Sequence, residues 1–164
     1  MIGVVGHGDL TSVSLKSVEA ELRDRLERAE DGAAGLVRAG AGLPVAFGRA
    51  VRASGRRLVV LLPSQHSVPA PLPGPDRDGA RELLLQAREV RLAAFDPADR
   101  DDCIGADELL VRSSRSVLAV WDGSPSDGTD ATAHLVAYAR ARGIPVEVVW
   151  PEGAARTARL TAGA

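Results

Sequence analysis

Short apolar runs bounded by glycine or proline alternate along the chain with segments of helical periodicity. The runs lie at 2–5, 35–38, 58–62, 90–94, 117–121 and 146–150. Continuous runs of this length suit strands buried on both faces. Between the first two, Leu15, Val18, Leu22, Leu26 and Ala29 fall on one stripe, while Glu19, Arg23, Asp24 and Arg28 lie off it, the mark of an amphipathic helix. Glu19 with Arg23, Glu21 with Arg25 and Asp24 with Arg28 add favourable pairs one turn apart. Helical patterns recur at about 42–53, 78–89, 103–113 and 130–142. Strands alternating with helices imply a parallel sheet, helices on both faces and right-handed crossovers. The expected fold is therefore α/β, a three-layer Rossmann-like sandwich around a central, mostly parallel sheet of about six strands. One domain spans 1–151, and 152–164 reads as a small polar tail, frayed or only partly helical. Prolines at 63, 69, 71, 73 and 75 make 63–78 a long loop or an excursion over the sheet top.

Composition narrows the classes of function. With 164 residues, 45% hydrophobic and 26% charged, the chain can bury a core without staples. A formal net charge of -2, with the basic residues spread along the chain, fits neither a nucleic-acid partner nor a membrane surface. Of the 20 basic residues 19 are Arg, and the single lysine, Lys16, follows Ser14 and Leu15 rather than a glycine-rich turn, which excludes a P-loop. The arginine, alanine and glycine excess suits a GC-rich bacterial genome. Aromatic residues at 3% leave no stacking platform for single-stranded nucleic acid. One cysteine, Cys103, excludes an internal disulfide and is expected to be a structural, partly buried thiol. The opening residues carry no signal-peptide pattern, and the longest aliphatic run, 58–62, is far short of the roughly 20 residues that span a bilayer. A cytoplasmic protein without membrane contact is expected.

In an open parallel sheet, ligands bind beyond the carboxyl ends of the strands, where strand order reverses. Three loops qualify: Gly6, His7, Gly8 and Asp9 after the first strand; Gly40, Ala41 and Gly42 after the second; and the stretch from Asp122 and Gly123 through Gly128 and Thr129 to Asp130 after the fifth. Small residues let backbone N–H groups approach an anion, and the helix start that follows favours negative charge. Any one glycine turn is ordinary in this fold, but three meeting at one edge point to a phosphate or ribose-phosphate ligand. The dinucleotide spacing G-x-G-x-x-G fails, with Thr11 and Val45 in the last glycine's place, and no G-x-S-x-G elbow occurs. Thr129 and Thr132 would face an anion at the last helix start. Asp122 suits a ribose hydroxyl or a turn, and Asp9 and Asp122 are the candidate carboxylates for acid/base work. His7 and His134 are candidates to face each other across the crevice. No metal-ligand spacing is present, so neither a metal nor a cofactor is expected. Arg38 and Arg115 are the arginines best placed to meet a phosphate, while Phe47, Trp121 and Tyr138 read as packing residues.

The Gly6-His7-Gly8 turn, 37–42, 58–63, 118–122, Thr132-Ala133 and 136–145 together resemble the SLOG superfamily. That superfamily includes the LOG-type nucleotide phosphoribohydrolases and, more remotely, the nucleoside deoxyribosyltransferases. The resemblance implies a Rossmann-like fold, a nucleotide or nucleotide-derived ligand, and a homodimer or higher homo-oligomer paired through helices next to the site. LOG enzymes carry P-G-G-x-G-T-x-x-E, whose glutamate does the glycosidic chemistry. Aligned on Thr132, that position holds Leu135; Gly128 keeps one motif glycine, and Thr129 and Ala131 take the other two places. A leucine can neither attack an anomeric carbon nor steady an oxocarbenium ion. The sequence thus reads as a non-catalytic nucleotide-binding sensor or regulator. Two alternatives stay open: an N-glycosidase acting on a nucleoside monophosphate through Asp9, Asp122 or Asp130, and an oligomeric interaction module without a ligand.

Overall fold

The computed structural model describes residues 1–29 and 32–157. The element order is β1 (Ile2–Gly6), α1 (Ser12–Arg28), β2 (Gly35–Arg38), α2 (Leu43–Ala53), β3 (Leu58–Gln65), β4 (Val68–Pro69), α3 (Gly74–Gln86), β5 (Glu89–Ala94), α4 (Arg100–Arg112), β6 (Ser116–Val120), α5 (Thr132–Ala141) and β7 (Val146–Val149). The parallel strands run β5-β3-β2-β1-β6-β7, and β4 adds a short antiparallel piece at the end of β3. Strand order therefore reverses between β1 and β6, which pair in parallel from Ile2 with Ser116 to Gly6 with Val120. Helices α1, α2 and α3 cover one face, and α4 and α5 the other. The expected three-layer α/β sandwich is present, with seven strands in the sheet.

The stripe predicted for α1 is the stripe it buries: Val18, Leu22 and Leu26 are almost fully inaccessible. Each such side chain contributes about 1.5–3 kcal/mol of burial. Thr11 starts the helix by accepting the Ser14 N–H on its hydroxyl at 3.1 Å, and Asp99 caps α4 through the Asp102 N–H at 2.9 Å. Phe47 of α2 is wholly buried against the sheet, as a core residue should be. Trp121 packs at the edge of the α4–α5 layer, with its indole N–H donated to the Ser124 carbonyl. Tyr138 packs there too, and its ring carries the Arg142 guanidinium at 3.6 Å.

The proline-rich segment is not the long loop expected. β3 runs on to Gln65, and His66 and Ser67 turn the chain with φ of 52° and 65° into β4. Helix α3 begins at Gly74, earlier than its periodicity suggested. Proline is compatible with a first helical turn because the N–H it lacks has no partner there. The start of α3 lies hard against the turn after β2: a Cβ added at Gly79 would come within 2.6 Å of the Gly40 carbonyl oxygen and 2.8 Å of the Ala41 Cα. Asp76 fixes the contact by accepting the Ala41 N–H at 3.0 Å.

The C-terminal segment also departs from expectation. Residues 155–157 are stitched to the β1–α1 loop, with the Thr11 N–H donated to the Ala155 carbonyl and the Thr157 N–H to the Asp9 carbonyl, around a bridge between Leu10 and Arg156. Residues 155–157 thus belong to the folded unit, and the rest of the segment expected to fray, 158–164, lies outside the described residues. Among the described residues no helix is long and apolar enough to cross a membrane.

Because backbone atoms surround Gly79, Gly79→Ala forces α3 off the β2 turn. Urea unfolding is expected to show a loss of about 1–3 kcal/mol, the cost of overpacking.

Candidate functional site

β1 ends at Gly6 in close contact with β6. A Cβ there would lie 2.7 Å from the Val120 carbonyl oxygen and 2.6 Å from Leu43 Cδ2, so only glycine lets the two strands meet at the switch point. The next residue, His7, is buried and its ring bridges the reversal. Nδ1 lies 2.7 Å from Asp130 Oδ2. Nε2 sits between the Asp122 N–H at 3.1 Å, from which it accepts when neutral, and Asp122 Oδ1 at 3.0 Å, to which it donates when protonated. Trp150 closes the ring off edge-on, with centroids 5.7 Å apart.

Arg156 brings the balancing cation from the end of the chain. It is 6% exposed. Its Nε donates to Asp9 Oδ1 at 2.8 Å, one terminal nitrogen to Ser124 Oγ at 3.2 Å and the other to Asp130 Oδ2 at 3.4 Å, while Asp122 Oδ2 stands 3.7 Å away. Three carboxylates from two loops thus share one guanidinium and one imidazole. Burial works to raise the pKa of Asp122, but the Ser124 hydroxyl and amide and the His7 ring outweigh it and hold that carboxyl at about 2. Asp130 is likewise held well below the usual carboxylate range: burial opposes this, and the bonds from His7 and the Thr132 amide prevail. Both are ionised at neutral pH, which makes them poor proton donors and weak bases. His7, Asp9 and Asp130 offer atoms within 4.8 Å of one another that could ligate a metal. A cation placed there would have to displace the Arg156 guanidinium.

Beside this cluster, two adjoining pockets of about 230 and 200 Å³ form one crevice at the carboxyl edge of the sheet and share Gly6, Gly8, Arg38, Asp107 and Leu135 as walls. The first extends over His7, Gly40 and Ala41, and the second over Thr129, Asp130 and Thr132. Leu135 is buried and gives the crevice an apolar wall. Two guanidiniums reach it, Arg38 and Arg100. Asp107 holds Arg38 by two bonds, of 2.6 and 3.1 Å, and the Asp127 carbonyl receives a hydrogen bond from Arg100 at 2.6 Å. Cys103 borders the same pocket, and burial foremost raises its thiol pKa, away from thiolate chemistry.

The structure brings Gly6, His7, Gly8, Gly40, Ala41, Thr129, Thr132 and Arg38 to this crevice. Asp9 and Asp122 stand behind it, engaged with Arg156, His7 and Ser124. Gly42 caps α2 and faces a neighbouring groove, and Gly123 and Gly128 belong to the loop behind Thr129. His134 does not face His7: its ring bonds Glu108 on α4 at 2.8 Å, and its amide is capped by Ser126. Arg115 precedes β6, so it lies at the amino edge of the sheet, away from the crevice, where its N–H meets the Met1 carbonyl. Sequence reasoning missed Arg100, Asp107 and above all Arg156, the one charged side chain among the small residues 153–157.

No family model matches the chain, and no curated protein matches it. Among solved structures it is similar to the molybdenum cofactor carrier protein of Chlamydomonas reinhardtii, with a TM-score of 0.56 and 18% identity over 92% of this chain and 77% of that one. It is also similar to DNA processing protein A of Streptococcus pneumoniae, with a TM-score of 0.61 and 14% identity over 90% of this chain. The chain spans about half, 49%, of that second protein. Identities this low show a shared Rossmann-like fold and nothing finer.

Two outcomes follow from the charge cluster. Arg156→Ala leaves three carboxylates facing one imidazole and is expected to cost about 3 kcal/mol in urea unfolding. The Asp122 pKa is lowered by folding, so its contribution is complete above the ordinary value of 3.8 and is lost as the pH falls through about 2. Stability measured by chemical denaturation should therefore decline below about pH 4, less steeply in Asp122→Asn.

Proposed function

We propose that the protein binds a nucleotide or nucleotide derivative in the switch-point crevice without cleaving it, and serves as a cytoplasmic sensor or regulator. The observation that carries this reading is the composition of the crevice: glycine turns and two guanidiniums along its walls, with the wall carboxylates Asp76, Asp107 and Asp130 each bonded within the protein and Leu135 where the resembling enzymes place their acid. The adjoining pockets together reach the lower part of the roughly 300–1,000 Å³ range of small-ligand sites. A phosphate would meet Arg38, Arg100 and the Gly8 turn. Ribose hydroxyls would meet Thr129, Thr132 and Asp130, and a base would lie on Leu43, Pro44 and Leu135. Support for the absence of turnover comes from the carboxylates themselves, since Asp9, Asp122 and Asp130 are committed to bonds within the protein. That a carrier of a molybdenum cofactor shares the fold is in keeping with a small-molecule cargo.

Calorimetry against nucleoside mono-, di- and triphosphates, cyclic nucleotides and ADP-ribose tests the proposal. One class should bind, and Arg38→Ala should weaken it at least about tenfold, the loss of a charge-assisted contact. Folded protein that binds none of them overturns the reading. Release of free base from AMP or CMP, abolished by Asp122→Ala, overturns its non-catalytic part.

A further inference from the structure

Of the large apolar side chains exposed among the described residues, Leu84 and Leu85 of α3 and Val90 and Leu92 of β5 gather at one corner, with Leu85 85% and Val90 and Leu92 nearly half exposed. β5 pairs with β3 on one side, and among the described residues no strand pairs with its other side. Val90 and Leu92 stand beside Val60 and Leu62 in register, so they belong to the face that α3 covers. α3 stops short of them. An apolar groove of about 480 Å³ between Leu62, Pro69, Leu72 and Leu84 runs up to the same corner. A flat, apolar, unpaired strand edge is a surface that another strand completes.

The backbone and the charges of β5 together define the partner. The Gly35 and Ala39 N–H groups are donated to the Arg57 and Leu61 carbonyls, so Leu58, Val60 and Leu62 of β3 face β5; in the register of Val60 with Val90, Glu89, Arg91 and Ala93 turn their N–H and C=O groups toward β3, and Val90, Leu92 and Ala94 turn theirs outward. An antiparallel strand added at this edge must form its hydrogen-bonded pairs through those three residues. For a second copy of the same strand, four two-fold registers meet that condition and overlap by three residues or more, centred on residues 90, 91, 92 and 93. Centred on Arg91, the pairing sets two guanidiniums opposite each other. Centred on Leu92 or Ala93, it leaves Glu89 and Arg91 without opposite charge across the axis. Centred on Val90, it places Val90 across from Val90 in a hydrogen-bonded pair on the axis and Glu89 across from Arg91 twice, in the two closer non-bonded pairs that flank it. Glu89 and Arg91 already bond each other within the strand, at 2.7 Å, so the two copies would form a four-member charge network.

We infer that the protein is a homodimer in which two β5 edges pair antiparallel about a two-fold axis at Val90, continuing the sheet through both copies. Such an axis stands normal to the sheet, so α3 and its copy lie on the same face, where Leu84, Leu85, Val90 and Leu92 of both chains cover one another. This places the pairing at the sheet edge rather than on helices beside the crevice, and it stands apart from the ligand reading.

Light scattering and sedimentation at high micromolar concentration test it, with circular dichroism to establish folding. The wild-type chain should be dimeric. Glu89→Arg sets arginine against arginine, and Arg91→Glu sets glutamate against glutamate, so each variant should dimerise at least about tenfold more weakly. Mixed together, the two variants restore every opposite-charge pair and should form a heterodimer, and the double variant E89R/R91E should dimerise by itself. A monomeric wild-type chain overturns the inference. So does a wild-type dimer that both single variants preserve, or a pair of folded, weakened variants that do not associate when mixed.

Discussion

The bridge from His7 to Asp122 and Asp130, closed by Arg156, is the constraint on which the crevice depends. An open parallel sheet is splayed at its switch point because consecutive connections leave in opposite directions there. In this chain the two sides are tied by a buried imidazole between carboxylates from two places on the β6–α5 connection, and by a guanidinium from beyond β7. Burying that many charges is costly unless each is bonded, and here each is. The consequence is rigidity, since the loops after β1 and β6 and the segment at 155–157 must move together or lose several charge-assisted bonds at once.

The same arrangement separates structure from chemistry. A carboxylate whose oxygens accept from an amide, a hydroxyl and a ring, and whose proton leaves at about pH 2, is suited to holding loops in place. The crevice beside it has a different character, built from backbone turns, threonine hydroxyls and arginines that are oriented by Asp107 and a carbonyl. Arginines held in this way retain donors in a fixed direction, which suits recognition of a planar or tetrahedral anion. Asp76 already satisfies the Ala41 amide, so the Gly40–Gly42 turn carries its own carboxylate and the anion side of the crevice lies with Gly8 and the arginines.

Much of this was legible in the sequence where the signal is local. The α1 stripe repeats with the helical period because one face meets the sheet, and the glycine turns recur because loops at the carboxyl edge must stay small. Prolines 73 and 75 misled the reading of α3, since proline is equally at home in a loop and in a first helical turn. His134 adjoins Leu135 in sequence, but consecutive helical residues point about 100° apart, which takes its ring to Glu108. Arg156 acts on Asp9 from 147 positions away, and a contact of that span leaves no periodicity to read. The residue that completes the cluster was therefore the one sequence reasoning could least supply.

The most direct test of the central claim is mass spectrometry of small molecules released from natively purified protein, because it requires no prior choice of ligand. The account predicts a ribose-phosphate compound that accompanies the wild-type chain and is absent from Arg38→Ala prepared in the same way. Protein that carries nothing, or a retained molecule with no ribose-phosphate group, contradicts it.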